Sequence, residues 1–133
     1  MMDGDYSSLT YALHDPDNSF PSGLGARVDK HLKDAVFAQP DVMRQLPLLL
    51  QQTGWALEGP MTQAKCVSEV GSEPSYWVSF AKAYLPRVKA AGTMNDIGGD
   101  TMVDRWWAAQ EEQISNGSFF AHCIYYTMFA KAV

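Results

Sequence analysis

Apolar positions alternate most densely near the end of the chain. Residues 118–131, SFFAHCIYYTMFAK, read with period two, put Phe120, His122, Ile124, Tyr126 and Met128 on one side. Phe119, Ala121, Cys123, Tyr125, Thr127 and Phe129 fall on the other. Both faces are apolar, which predicts a strand covered above and below, as in an α/β sheet. Each large side chain left in water would forfeit about 1.5–3 kcal/mol.

Upstream, the apolar period lengthens to that of helices. In residues 26–38, Val28, Leu32, Ala35 and Val36 form one stripe, and Pro40 stops the element. Residues 41–53 read as a second helical stretch, with Pro47 expected as the first residue of a helix running to Thr53. Residues 55–70 are a strand candidate interrupted by Gly59 and Pro60. Ser72 and Pro74 open a third helix over 75–91, with Trp77, Phe80, Ala81, Tyr84, Leu85 and Val88 on a wide apolar face. Pro86 is expected to kink or end it. A fourth helix spans 101–115, with Thr101 and Asp104 as a start resembling a capping box. Val103, Trp106, Trp107, Gln110 and Ile114 share one of its sides, and Asn116-Gly117 turns the chain into the last strand. Residues 3–13 are short and mixed and read as extended; residues 14–25 are loop.

The chain has 133 residues, 47% hydrophobic and 19% charged, which fits a single globular domain over 1–133. A net charge of −5 with no basic run argues against nucleic acid and anionic membranes as partners. No apolar run approaches the roughly 20 residues of a membrane span. The first residues have no basic segment followed by an apolar stretch, so no signal peptide is read there and a cytoplasmic location is expected. Cys66 and Cys123 make neither a disulfide framework nor a metal set; both are expected to be small buried hydrophobes in a reducing compartment.

Candidate chemistry is sparse. Trp77, Trp106, Trp107, Tyr76 and Tyr84 crowd the two late helices, either as core or as the aromatic wall of a small-molecule pocket. Adjacent tryptophans cannot both point fully inward, so one of Trp106 and Trp107 is expected at a pocket or interface. His122 lies mid-strand among aromatics, either as a core histidine or as a general base. The three histidines show no metal-ligand spacing, so no metal is expected.

The order of several short motifs carries a resemblance. Asp3-Gly4-Asp5-Tyr6 comes first, then an amphipathic helix, then Arg44-Gln45-Leu46-Pro47 and Thr53-Gly54-Trp55 before a strand. Two helices follow, and Asn116-Gly117-Ser118-Phe119-Phe120 opens the final strand, which ends in Ala130-Lys131. This order resembles the C-terminal, substrate-side half of class I S-adenosylmethionine-dependent methyltransferases, in which a seventh, antiparallel strand lies between the fifth and sixth. The resemblance implies an α/β fold, a partial Rossmann-like sheet of two long antiparallel strands with about four helices.

It also implies site residues. Tyr6, Trp77, Trp106 and Trp107 would line an acceptor site. Arg44 would pair with Asp3 or Asp5. His14, in a loop that approaches the family's active site, would be a second candidate base beside His122. The cofactor half of the family has no counterpart here. Neither Gly23-Leu24-Gly25 nor Gly98-Gly99-Asp100 follows a strand as a dinucleotide-type turn does. Met1-Met2 falls where the family's fifth strand would already be running, so a truncated domain is one of the readings left open.

The expected function is therefore a methyltransferase-like subunit that shapes a small-molecule acceptor site. It would bind no cofactor alone and would meet S-adenosylmethionine only in a complex. The alternative is a non-catalytic small-molecule-binding or protein-interaction module of the same descent. The partner, a second copy or a chain carrying the cofactor half, is expected at a free edge of strand 118–131, since a two-stranded sheet is marginal alone.

Overall fold

The computed structural model describes residues 2–58 and 63–133, with backbone only at residues 2, 3 and 63. The elements are β1 (Met2–Tyr11), α1 (Leu24–Val36), α2 (Val42–Gln52), β2 (Trp55–Leu57), β3 (Gln63–Gly71), α3 (Tyr76–Ala91), α4 (Gly99–Asn116), β4 (Phe119–Thr127) and β5 (Ala130–Ala132). A single turn of 3₁₀-helix, Asn95–Ile97, precedes α4.

The main sheet has the order β1-β4-β3, and β4 is antiparallel to both neighbours. β1 and β3 therefore run parallel to each other with the closing strand inserted between them. β2 and β5 form a separate antiparallel pair. The free edge expected on strand 118–131 is not there: β3 occupies one edge of β4 and β1 the other. The sequence understates β1 because its middle is polar. Ser7 and Ser8 fall in a register shift between Asp5 and Thr10, where the Ser8 hydroxyl accepts the Ile124 N–H (2.8 Å) in place of a backbone carbonyl.

The expectation of cover on both faces of β4 is met on one face and at one end of the other. Phe119, Ala121 and Cys123 are buried with Leu9, Tyr11, Leu24, Val28, Leu32, Trp77, Val103 and Trp106 beneath α1, α3 and α4. On the opposite face, Met43 and Leu46 of α2 pack with Tyr126 and Met128. Further along that face the cover stops: His122 and Ile124 are half-buried and Phe120 is 38% exposed.

Buried polar groups attach the helices to the sheet. Asp5 has no exposed surface, and its Oδ2 accepts the Arg44 Nε–H at 2.6 Å, tying β1 to α2. The Ser7 hydroxyl donates to Asp5 Oδ1. The Asp3 side chain lies outside the described residues. Glu69 at the end of β3 caps α3: its carboxylate accepts the N–H groups of Ser75 (2.8 Å), Tyr76 (3.0 Å) and Trp77. Burial pushes the Glu69 pKa up, but these N–H donors outweigh it and hold the carboxyl below its usual range.

Several helix boundaries differ from the sequence expectation. Pro47 lies inside α2 rather than at a helix start, and Pro86 lies inside α3, which continues to Ala91. Pro86 is exposed, so water can meet the carbonyl it frees. α4 begins at Gly99, ahead of Thr101, so Thr101 and Asp104 are not a capping box. The strand expected over 55–70 is two strands in two sheets, and its Gly59–Pro60 interruption lies outside the described residues. Cys123 is buried as expected, but Cys66 is exposed because it lies beside Ile124 on the sheet face where the cover stops. Among the described residues no helix is long and apolar enough to cross a membrane.

One-sided burial of β4 has a measurable consequence. Phe119→Ala should destabilise the fold by about 3–5 kcal/mol, whereas Phe120→Ala, one residue along, should cost about 1 kcal/mol or less. Urea denaturation of the two variants reads the difference directly.

Candidate functional site

The chain leaves β1 at Tyr11 and crosses toward α1 through residues 12–23, and the path of this loop creates a polar cleft. Two glutamines on α4 clamp its first turn. Gln110 and Gln113 are buried on the inner side of α4, and both donate to the Ala12 carbonyl, at 3.1 and 2.9 Å. Gln113 Oε1 also accepts the His14 N–H at 2.9 Å. Asp15 closes the next turn by accepting the N–H groups of Ser19 (2.9 Å) and Phe20 (3.0 Å). Arg105 lies over the Phe20 ring, 4.9 Å from its centroid. Between this loop and α4 is a cleft of about 350 Å³ lined by His14, Asp15, Asp17, Arg105, Glu112 and Gln113, among others. That volume is at the small end of ligand sites.

The cleft lies at the carboxyl end of β1, on the side where open α/β sheets take ligands. Its titratable groups are distinct in role. The Phe20 and Ser19 N–H groups, the Ser19 hydroxyl and the nearby Arg105 charge hold the Asp15 carboxyl below its usual range, so Asp15 is an ionised turn-former. His14 is exposed, and no hydrogen bond to its imidazole occurs among the described residues, which leaves the ring available to a ligand.

Behind the cleft, Asp29 of α1 is buried and accepts the Tyr11 N–H at 3.2 Å. Burial pushes its carboxyl up to about 7, against the lowering effects of that N–H and of Lys33. Burial, with the Asp29 and Glu69 charges, also pushes the Tyr11 phenol up, and the phenol donates to the Trp77 carbonyl. Trp106 Nε1 and Gln110 Oε1, one turn apart on α4, are buried without a hydrogen-bond partner among the described residues.

The residues singled out from the sequence do not converge. Trp77 and Trp106 are fully buried core residues and line no wall of the cleft. Trp106 packs edge-on against Tyr11, with ring centroids 5.5 Å apart. Trp107 is half-buried, as one of the adjacent pair has to be, but it lies in the groove between α3 and α4 and donates to Glu111 Oε1. Tyr6 stacks on Phe37 at 4.0 Å, away from the cleft. His122 sits on the open sheet face, edge-on to Phe120 at 5.7 Å, and is not part of the cleft. Of the proposed bases, only His14 lines it. Asp5 and Arg44 form their pair under α2, as a structural tie.

Gln110 and Gln113 carry the loop, and the sequence reading assigned neither a role. The available signal was a break in polarity: glutamines falling on the same stripe of α4 as Val103 and Trp106. A second cleft, of about 360 Å³ between α2 and the β2–β5 pair, is lined by Leu46, Leu50, Thr53, Trp55, Met128 and Ala130. It holds no titratable group, unlike the His14 cleft. Comparison of the chain with protein-family profiles, with curated proteins and with solved structures finds no match in any of the three.

Two measurements test this geometry. Gln113→Ala should speed hydrogen exchange at the His14 amide about tenfold or more and lower stability by about 1–3 kcal/mol. Asp29 sets a pH dependence of definite sign. Its folded pKa is raised above the unfolded value of about 3.9, so folding takes up a proton between these limits. The associated stability is complete below about pH 4 and is lost as pH rises through about 7. Thermal melts of Asp29→Asn, which keeps an acceptor for Tyr11, should lack this decline while the wild-type chain shows it.

Proposed function

We infer that this chain is the acceptor-side half of a methyltransferase-like enzyme, working with a second polypeptide that holds S-adenosylmethionine. The observation that carries the reading is the strand order: a closing strand lies antiparallel between two mutually parallel strands. This is the arrangement of the fifth, seventh and sixth strands in the family that the sequence resembles. Strand β1 then stands for the fifth strand, and no further strand lies outside it among the described residues.

The residues of this chain do not themselves fit the cofactor. Gly23 and Gly25 belong to the start of α1 after a long loop, and Gly98 and Gly99 join the 3₁₀ turn to α4; neither pair follows a strand. What the chain supplies is the cleft. There the exposed His14 imidazole can take a proton from an acceptor hydroxyl or amine held between the loop and α4. Proximity and orientation of that acceptor would be this half's main contribution.

A second reading, a non-catalytic small-molecule-binding or interaction module, is favoured by one observation. The tryptophans expected to wall an acceptor site, Trp77 and Trp106, are core residues instead.

Calorimetric titration of S-adenosylmethionine separates the readings. No binding is expected by the isolated chain, with binding and transfer of a labelled methyl group once a partner co-purified from the native source is present. In that complex His14→Ala should slow transfer about 100-fold. Tight binding by the isolated chain would overturn the missing-half reading. Absence of binding in the complex as well would leave the non-catalytic module.

A further inference from the structure

The main sheet has two outer edges, and they are built differently. On β1 the ladder is broken by the shift between Asp5 and Thr10. Ser7, inside that shift, already donates its N–H to the Pro40 carbonyl (3.1 Å) and accepts Lys33 Nζ (2.9 Å) at its own carbonyl. Irregularity of this kind protects an edge from strand addition. On β3 the register with β4 is continuous from Gln63 to Gly71. Residues 64–68 are all exposed, Val67 at 37%, and Val70 is 62% exposed. No proline or bulge interrupts this strand, and its charges are one lysine and one glutamate. A regular edge with exposed valines and no strand partner among the described residues is a template for another strand.

The two charges identify which strand. Lys65 and Glu69 lie four residues apart, on the same face of β3. Lys65 has no ion-pair partner among the described residues, and Glu69 is held in place by the N–H groups at the start of α3. When β3 pairs antiparallel with a second copy of itself, only a two-fold axis at Val67 sets each Lys65 opposite the other copy's Glu69. Axes at Lys65 or at Glu69 would instead oppose like charges, which is unfavourable. The Val67 axis also places Cys66 against Ser68, Ala64 against Val70 and Val67 against itself. We propose that this chain forms a two-fold dimer through β3, in this register, giving one continuous six-stranded sheet. The inference is independent of the methyltransferase reading, which concerns β1 and the His14 cleft.

Cysteine placement tests both the dimer and its register. In a Cys66→Ser background, Val67→Cys should form an intermolecular disulfide under mild oxidation, since the two Cα atoms would be about 4.5–5.5 Å apart, within bonding range. Val70→Cys in the same background faces Ala64 of the other copy and should remain unlinked. Light scattering of the unmodified chain at tens of micromolar should give a dimer. Lys65→Glu should raise the dissociation constant about tenfold, while Lys82→Glu, on α3, should leave it unchanged. Circular dichroism of each variant establishes that it is folded. A monomer at such concentrations, or equal cross-linking of the two cysteine variants, would overturn the proposal.

Discussion

Strand β4 is the constraint on which the structure depends. It is the one strand of the main sheet with backbone partners on both edges, β1 on one side and β3 on the other. Its alternation also divides the molecule into layers. Phe119, Ala121 and Cys123 face α1, α3 and α4, and two of these three are small. Small side chains there let Tyr11 on the next strand tilt across the sheet to meet Trp106 and Phe119 edge-on, at 5.5 and 6.2 Å. Displacing β4 by one residue would turn this set toward solvent.

Helices are attached to that sheet by polar side chains as much as by apolar ones. The Asp5 carboxylate holds Arg44 and so locates α2; the Glu69 carboxylate receives the first N–H groups of α3; Gln110 and Gln113 hold the loop after β1 to α4. In each case a group removed from water gains a partner on a different element, which makes the arrangement specific as well as stable. The His14 cleft is a product of the last of these ties. Without the glutamine clamps nothing would fix the loop's first turn against α4, and its polar side chains would have no common wall.

Much of the element content was legible from the sequence because it rests on local period and local punctuation. The stripe Val28, Leu32 in α1, the wide apolar face of α3 and the Asn116-Gly117 turn, where Gly117 takes φ 77°, are all properties of short segments. Pairing of Arg44 with an aspartate of the first segment was also within reach, because the motif order suggested it. The site was less legible. Burial of Trp77 and Trp106, the distance of Tyr6 and His122 from the cleft, and the role of the two glutamines depend on contacts between segments that are far apart in sequence.

By itself the sequence determined the alternation of 119–127, the four helices and the acidic, sparsely charged surface, since each follows from neighbouring side chains and their solvation. Only the tertiary structure decided that residues 2–11 form a full strand, because their polar middle is satisfied by Ser8 and Ile124 across the sheet and not by any local pattern. It also decided that both edges of β4 are filled and that the outer edges belong to β1 and β3. Strand neighbours are chosen by long-range backbone pairing, and a strand's own residues do not record which of its two edges another strand will take.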